Sequence, residues 1–274
     1  MVFSTHLSTM KLFAFLAVIA ITLAGLALKV REYRYIPNDS FDTGEVLKYR
    51  VHWKLINAGE ATMKVSDTYF NVNGRPCYKI DVFGNTTGLA DVAIKIRNNW
   101  GAYVDTASII PHKAYRYIQE GRYRKNEMVN FDHENDVATV LKLDKETRKL
   151  KEKKNFAVPN DVLDIVGGYY FLRTIEYDNY EEGDIIKVAS FFGDEVYNLE
   201  IRFLGRETID TKVGEINAIV MAPSLPDNDF FSEGNDPVKV WISDDKNKVP
   251  LKIKAEIAVG AIEIDIKEMK NLRN

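Results

Sequence analysis

The chain has 274 residues, 46% hydrophobic, 28% charged and 11% aromatic, with a formal net charge of −3. That composition excludes disordered, collagen-like and disulfide-scaffold classes, and the near-neutral total argues against a dedicated nucleic-acid binder. A lone cysteine, Cys77, cannot close an intrachain disulfide or supply a multi-thiolate metal site.

The first element is apolar. Leu12 to Leu28 is hydrophobic apart from Thr22 and Gly25, and Lys11 precedes it. Its length lies between a signal-peptide core and a short transmembrane helix. Gly25 and Ala27 suit a cleavage site after Ala27, making residues 1–27 a signal peptide. Lys29, Arg31 and Arg34 come next and weaken the charge asymmetry, so an uncleaved inner-membrane anchor at 12–28 is the alternative. Residues 28–40 then read as a linker to a single domain over 41–270, expected to work in the periplasm or cell envelope.

From residue 47 onward, strands dominate. Leu47, Tyr49, Val51, Trp53 and Leu55 alternate with Lys48, Arg50, His52 and Lys54, the period of a half-buried strand. Asn57-Ala58-Gly59 reads as a turn, with Ala61 to Tyr69 returning as a second strand. Further alternation runs through Tyr78–Val82, Tyr115–Glu120, Tyr123–Phe131 and Val137–Leu143. It resumes at Ile186–Ser190, Tyr197–Phe203, Ile216–Val220, Val238–Ile242 and Leu251–Ile257. At Gly260 the apolar parity shifts to Ile262, Ile264 and Ile266, which requires a tight turn or bulge.

Pro159-Asn160-Asp161 predicts the start of a helix whose Val162, Ile165, Val166, Tyr169 and Leu172 share one face. A second, short helix is predicted at Gly88–Ile94. Without regular strand–helix alternation the sheet cannot be mainly parallel. The predicted fold is mainly β: an antiparallel curved sheet, half-barrel or barrel, with one or two short helices and the N-terminal segment.

Charge is uneven along the chain. Residues 1–111 hold 12 basic and 9 acidic side chains, residues 112–154 hold 12 and 8, and residues 155–274 hold 13 and 23. The basic run from Lys145 to Lys154 reads as a solvated hairpin, with contact to polyanionic glycan or lipid as the alternative.

Motifs for chemistry are missing. There is no G-x-S-x-G, H-E-x-x-H, Walker loop or G-x-G-x-x-G. His6, His52, His112 and His133 show no metal-ligand spacing and read as surface or strand-end residues. Cys77 reads as a small packed side chain. Asp227, Asp229, Glu233 and Asp236 do not match an EF-hand and read as a solvated loop rather than a calcium site. Neither a metal nor a cofactor is expected. In the same loop, Phe230 and Phe231 either fold back over the core or make a surface contact.

Longer motifs carry a resemblance. Phe41-Asp42-Thr43-Gly44-Glu45-Val46-Leu47-Lys48-Tyr49-Arg50-Val51-His52-Trp53, with Ile56, Ala58-Gly59 and Ala61, resembles the opening of the DUF3108 family. Val240-Trp241-Ile242-Ser243-Asp244-Asp245, Val249-Pro250-Leu251 and Val259-Gly260 are similar to its ending. Asp161 to Arg173 resembles its helix, although Gly167-Gly168 is less typical. The resemblance implies an exported antiparallel β protein and transfers no catalytic residue.

Two function classes remain open. The first is a non-catalytic envelope carrier for a lipid or other apolar small molecule, with Tyr49, Trp53, Tyr78 and Trp241 as candidate lining residues. The second is an assembly factor contacting an envelope protein or glycan through its surface. Neither involves nucleic acid, and membrane contact is expected only through an uncleaved N-terminal helix. Glu45, Arg173 and Asp245 are expected to be structural, Arg173 pairing with one of the two carboxylates to hold the helix to the sheet.

Overall fold

The computed structural model describes residues 32–54, 56–224, 236–258 and 260–274. The apolar run at 12–28, Phe230, Phe231 and the acidic residues Asp227, Asp229 and Glu233 lie outside the described residues. Bonds from Arg34 Nε to the Ser108 carbonyl (3.0 Å) and from Asn271 Nδ2 to the Gly44 carbonyl (2.9 Å) bring residues beyond both ends of 41–270 into the packing.

Strands β1 (Val46–Trp53), β2 (Ile56–Val65), β3 (Phe70–Val72) and β4 (Arg75–Thr86) come first. A short helix α1 (Gly88–Ala93) leads to β5 (Arg97–Asp105), β6 (Pro111–Glu120), β7 (Tyr123–Asp132), β8 (Val137–Leu143) and β9 (Leu150–Ala157). Helix α2 (Ile165–Leu172) precedes β10 (Ile185–Phe192), β11 (Glu195–Thr211) and β12 (Gly214–Pro223). The last three are β13 (Val238–Ser243), β14 (Pro250–Ile257) and β15 (Gly260–Lys270).

All belong to one antiparallel sheet of fifteen strands, ordered β10-β11-β12-β13-β14-β15-β1-β2-β4-β5-β6-β7-β8-β9, with β3 beside β4. The first and last of these strands in the chain are neighbours, Tyr49 opposite Ile266 and Val51 opposite Ile264. The sheet does not close, and β9 and β10 are its edges. They nevertheless face each other: Phe191 of β10 meets Phe131 of β7 and Phe156 of β9, with ring centroids 6.2 and 5.6 Å apart. The segment after β9 bridges the gap. Leu163 N donates to the Ala189 carbonyl (2.9 Å), and Phe191 N to the Leu163 carbonyl (2.8 Å).

Three expectations need correction. β2 begins at Ile56, so Asn57, Ala58 and Gly59 lie within that strand rather than in the turn after β1. A Cβ on Gly59 would collide with the Asn85 carbonyl oxygen, so this glycine serves close strand approach rather than a turn. The second strand stops at Val65 instead of running to Tyr69. Helix α2 is capped by Asp164 rather than started at Pro159–Asp161, because Leu163 is taken up by its bridge to β10.

Helix α2 lies within the curl of the sheet. Its Val166 and Tyr170 are buried in a cluster with Leu47, Tyr49, Met63, Ile80 and Val104, and Phe41 packs edge-on to Tyr170 at 4.6 Å. Arg173, at the helix end, is fully buried. It donates to both Glu45 oxygens at 2.6 and 2.7 Å, to the Asn247 carbonyl, and to the Ser40 carbonyl at 3.1 Å. Asp245 does not touch Arg173. It accepts from Ser243 Oγ and from the Asn247 and Lys248 amides at 2.7, 2.9 and 3.0 Å, shaping the turn that presents the Asn247 carbonyl to the guanidinium.

Truncating one member of such a buried pair strands the other charge, at a cost of about 3–5 kcal/mol. Arg173→Met should therefore lower the denaturation midpoint sharply, and a double-mutant cycle with Glu45→Gln should show strong coupling. The two helix glycines should behave differently. A Cβ on Gly168 meets nothing within 4 Å, so Gly168→Ala should raise stability by about 1 kcal/mol in the same unfolding measurement. On Gly167 it would lie 2.8 Å from the Asp164 cap oxygen, and Gly167→Ala should bring no such gain.

Candidate functional site

A cavity of about 290 Å³ lies between α2 and the surrounding sheet. Tyr49 (β1), Ala61 and Met63 (β2), Val82 (β4), Trp100 (β5), Ile253 (β14) and Ile264 (β15) form the sheet side, together with Pro250. Ile165, Val166 and Tyr169 supply the helix side. The sheet residues follow from period-two alternation. Ala61 lies beside Gly84 in the β2–β4 register, so neither fills the interior as a larger side chain would.

Polar groups on this wall are few. The Tyr49 hydroxyl donates to the Pro250 carbonyl at 2.9 Å. The Tyr169 hydroxyl oxygen is buried without a hydrogen-bond partner. Burial pushes the Tyr169 phenol upward from its ordinary pKa, so it remains a neutral donor and acceptor. An unpartnered buried hydroxyl costs about 1–3 kcal/mol.

A small recess adjoins the cavity, sharing Trp100, Ile165 and Val166. Trp100 stacks on Phe192 at 5.8 Å, and the Arg116 guanidinium lies 4.6 Å from the Phe192 ring centroid. Arg116 Nε donates to Glu127 Oε1 at 2.7 Å. Asp164 also lines the recess. Burial pushes its carboxyl up to about 6, although the Val166 and Gly167 amides donate to it at 3.1 and 2.9 Å.

Of the four expected lining residues, only Tyr49 is on the cavity wall. Trp53 lies by the β1–β2 turn, with the Lys54 ammonium 5.1 Å from its ring. Tyr78 packs between Phe41 and Tyr69 at 5.2 and 5.4 Å. Trp241 donates from its indole nitrogen to Glu207 at 2.5 Å. Sequence reasoning misses Met63, Trp100 and Tyr169 as lining residues. The inward small residues Ala61 and Gly84 on neighbouring strands are the available signal of a hollow.

Two other clusters hold groups capable of chemistry. His112 and His133 stand at strand ends, as expected, but are buried rather than at the surface, 1% and 2% exposed, in a polar knot at the β5–β6 connection. Its centre is Asp105, which accepts from Arg75, His112 and the Ala107 and Ser108 amides. Burial opposes ionisation, but these donors outweigh it and hold the carboxyl far below its ordinary range. The knot anchors backbone. In the other cluster, His52, Glu263 and Asp265 place ligand-type atoms within 4.8 Å of one another. Arg50 and Lys252 already pair with those carboxylates, so the group reads as an ion-pair network. Cys77 is buried, and its thiol is pushed up to about 12 by burial.

Burial of Asp164 makes stability depend on pH. Its folded value is raised, so as pH climbs from about 4 the unfolded chain ionises first. The native state loses relative stability until about pH 6, by on the order of 3 kcal/mol. Asp164→Asn retains a cap acceptor and should remove that decline. Urea unfolding between pH 4 and 7 checks this, with the variant gaining on the parent as pH rises.

Comparison with known proteins locates this fold. The profile described as "Protein of unknown function (DUF3108)" matches residues 48–267. No curated protein sequence matches. The chain is similar in structure to a beta-barrel-like protein of the domain of unknown function DUF1849 from Brucella abortus. That match has a TM-score of 0.52 and 8% identity, covering 87% of this chain and 99% of the other. Weaker likeness extends to a candidate lipoprotein from Parabacteroides distasonis, with TM-score 0.32, 10% identity and 88% and 100% coverage. A candidate exported protein with a YmcC-like fold from Bacteroides fragilis gives TM-score 0.31, 12% identity and the same coverage. The profile match covers most of the chain and nearly all of the sheet, and the chain belongs to the DUF3108 family.

Proposed function

We propose that this protein is a non-catalytic envelope carrier that holds a lipid-like ligand in the cavity beside α2. The observation that carries the reading is an apolar hollow of about 290 Å³ whose lining includes Tyr169, a residue with a buried and unpartnered hydroxyl. That size is at the small end of ligand pockets, roughly 300–1,000 Å³, and suits one chain rather than several. The expected ligand is an acyl chain with an oxygen that pairs with Tyr169. Export is supported by the apolar run at 12–28 with Gly25 and Ala27 near its end. Among the described residues, no helix is long and apolar enough to cross a membrane.

Native mass spectrometry of protein purified from its own host tests the reading. The parent should carry an adduct of lipid mass. Ala61→Trp fills the hollow and should lose the adduct while remaining folded. Tyr169→Phe should weaken binding of an oxygen-bearing chain about tenfold, the scale of one hydrogen bond, and leave a plain hydrocarbon unaffected. A bare parent mass under lipid-preserving conditions contradicts the proposal.

A further inference from the structure

The end of the sheet that carries α1 has an unusual surface. Leu89 and Val92 of α1 are 85% and 86% exposed, and no residue of this helix is buried. Polar bonds hold it in place. Arg97 donates to both Asp91 oxygens, at 2.7 and 3.0 Å, and Thr86 Oγ1 donates to Asp91 at 2.7 Å. Its apolar side chains therefore contribute little to the core, and their exposure needs another explanation.

Neighbouring segments extend the patch. Ile94 follows α1 and lies by the β6–β7 turn, where Gly121 N donates to the Lys95 carbonyl at 2.9 Å. β7 opens beyond that turn with Tyr123, 54% exposed. On the other side Thr87 N donates to the Ala58 carbonyl at 3.1 Å, and Ile56 at the start of β2 is 51% exposed.

The charge around this patch is positive. Lys54, Lys95 and Arg122 are exposed and make no ion pair among the described residues. Asp91 is neutralised by Arg97, and Glu120, bonded to Asn98 Nδ2 at 2.8 Å, keeps its charge, which leaves the three cations in excess. Apolar side chains ringed by unpaired cations match an interface of acyl chains below anionic headgroups. We propose that the α1 end docks on an anionic lipid bilayer, with Leu89 and Val92 inserted and Lys54, Lys95 and Arg122 at headgroup level. This contact does not depend on the cavity being filled, since it uses none of the cavity's side chains.

A fluorescence experiment on the full-length chain tests it. Cys77 is fully buried, so Leu89→Cys, Val92→Cys and a control, Lys246→Cys in the β13–β14 turn, each offer one accessible thiol. Each variant is labelled with the polarity-sensitive dye NBD. Vesicles of equal parts phosphatidylglycerol and phosphatidylcholine should brighten and blue-shift the probe at 89 and 92 several-fold over 246. Vesicles of phosphatidylcholine alone should give a much smaller response, and added salt should reverse the anionic one. Replacing Lys95 and Arg122 with Gln should weaken vesicle affinity about fivefold for each cation removed. No response at 89 and 92, an equal response at 246, or equal responses on both vesicle types overturns the proposal.

Discussion

The Glu45–Arg173 pair is the contact on which the interior depends. A guanidinium with no exposure needs a carboxylate and carbonyl acceptors, and it obtains them from two separated stretches, Ser40 with Glu45 and Asn247. The same bonds join the start of β1, the β13–β14 turn and the end of α2. Ser40 Oγ also donates back to the Arg173 carbonyl. Helix α2 is thereby fixed inside a sheet whose edges do not pair. With one end held, Ile165, Val166 and Tyr169 face the sheet across a gap that they do not fill.

Much of the fold is legible in the sequence. Strands with one wet and one buried face show period two, and β1, β8, β14 and β15 are visible for that reason. β5 is not, because Arg97, Asn98, Asn99, Trp100 and Gly101 interrupt the apolar alternation. Its glycine makes room for Tyr115 of the neighbouring strand, whose ring leaves no space for a Cβ. In sequence β9 reads only as part of a basic hairpin. It is an edge strand, and its lysines discourage pairing with another chain. Pro159-Asn160-Asp161 reads as the helix start in sequence, and a long-range bridge at Leu163 moves the cap to Asp164.

The site is harder to read than the fold. A large aromatic at an inward position fills space as readily as it lines a hollow, which is why Tyr78 and Trp241 are plausible linings in sequence. Both are packed, and each has a polar partner for its hydroxyl or indole group. The hollow is bordered by a small residue, Ala61, and by a helix brought in from more than eighty residues away. From sequence Arg173 can be paired with Glu45 or Asp245; the structure uses Glu45 directly and Asp245 through the turn it shapes.

The sheet packs a large apolar core but leaves a gap of about 290 Å³ beside α2, and the proposed carrier role requires a guest in that gap. Contact between that guest and the side chains facing the gap is the direct measure. Deuterated protein carrying 13C-labelled methionine methyls, loaded with a protonated fatty acid, would report it by NMR. A guest in the gap should give nuclear Overhauser contacts from its acyl chain to the Met63 methyl. Saturating ligand that leaves the Met63 methyl without such contacts would contradict a carrier role for the cavity.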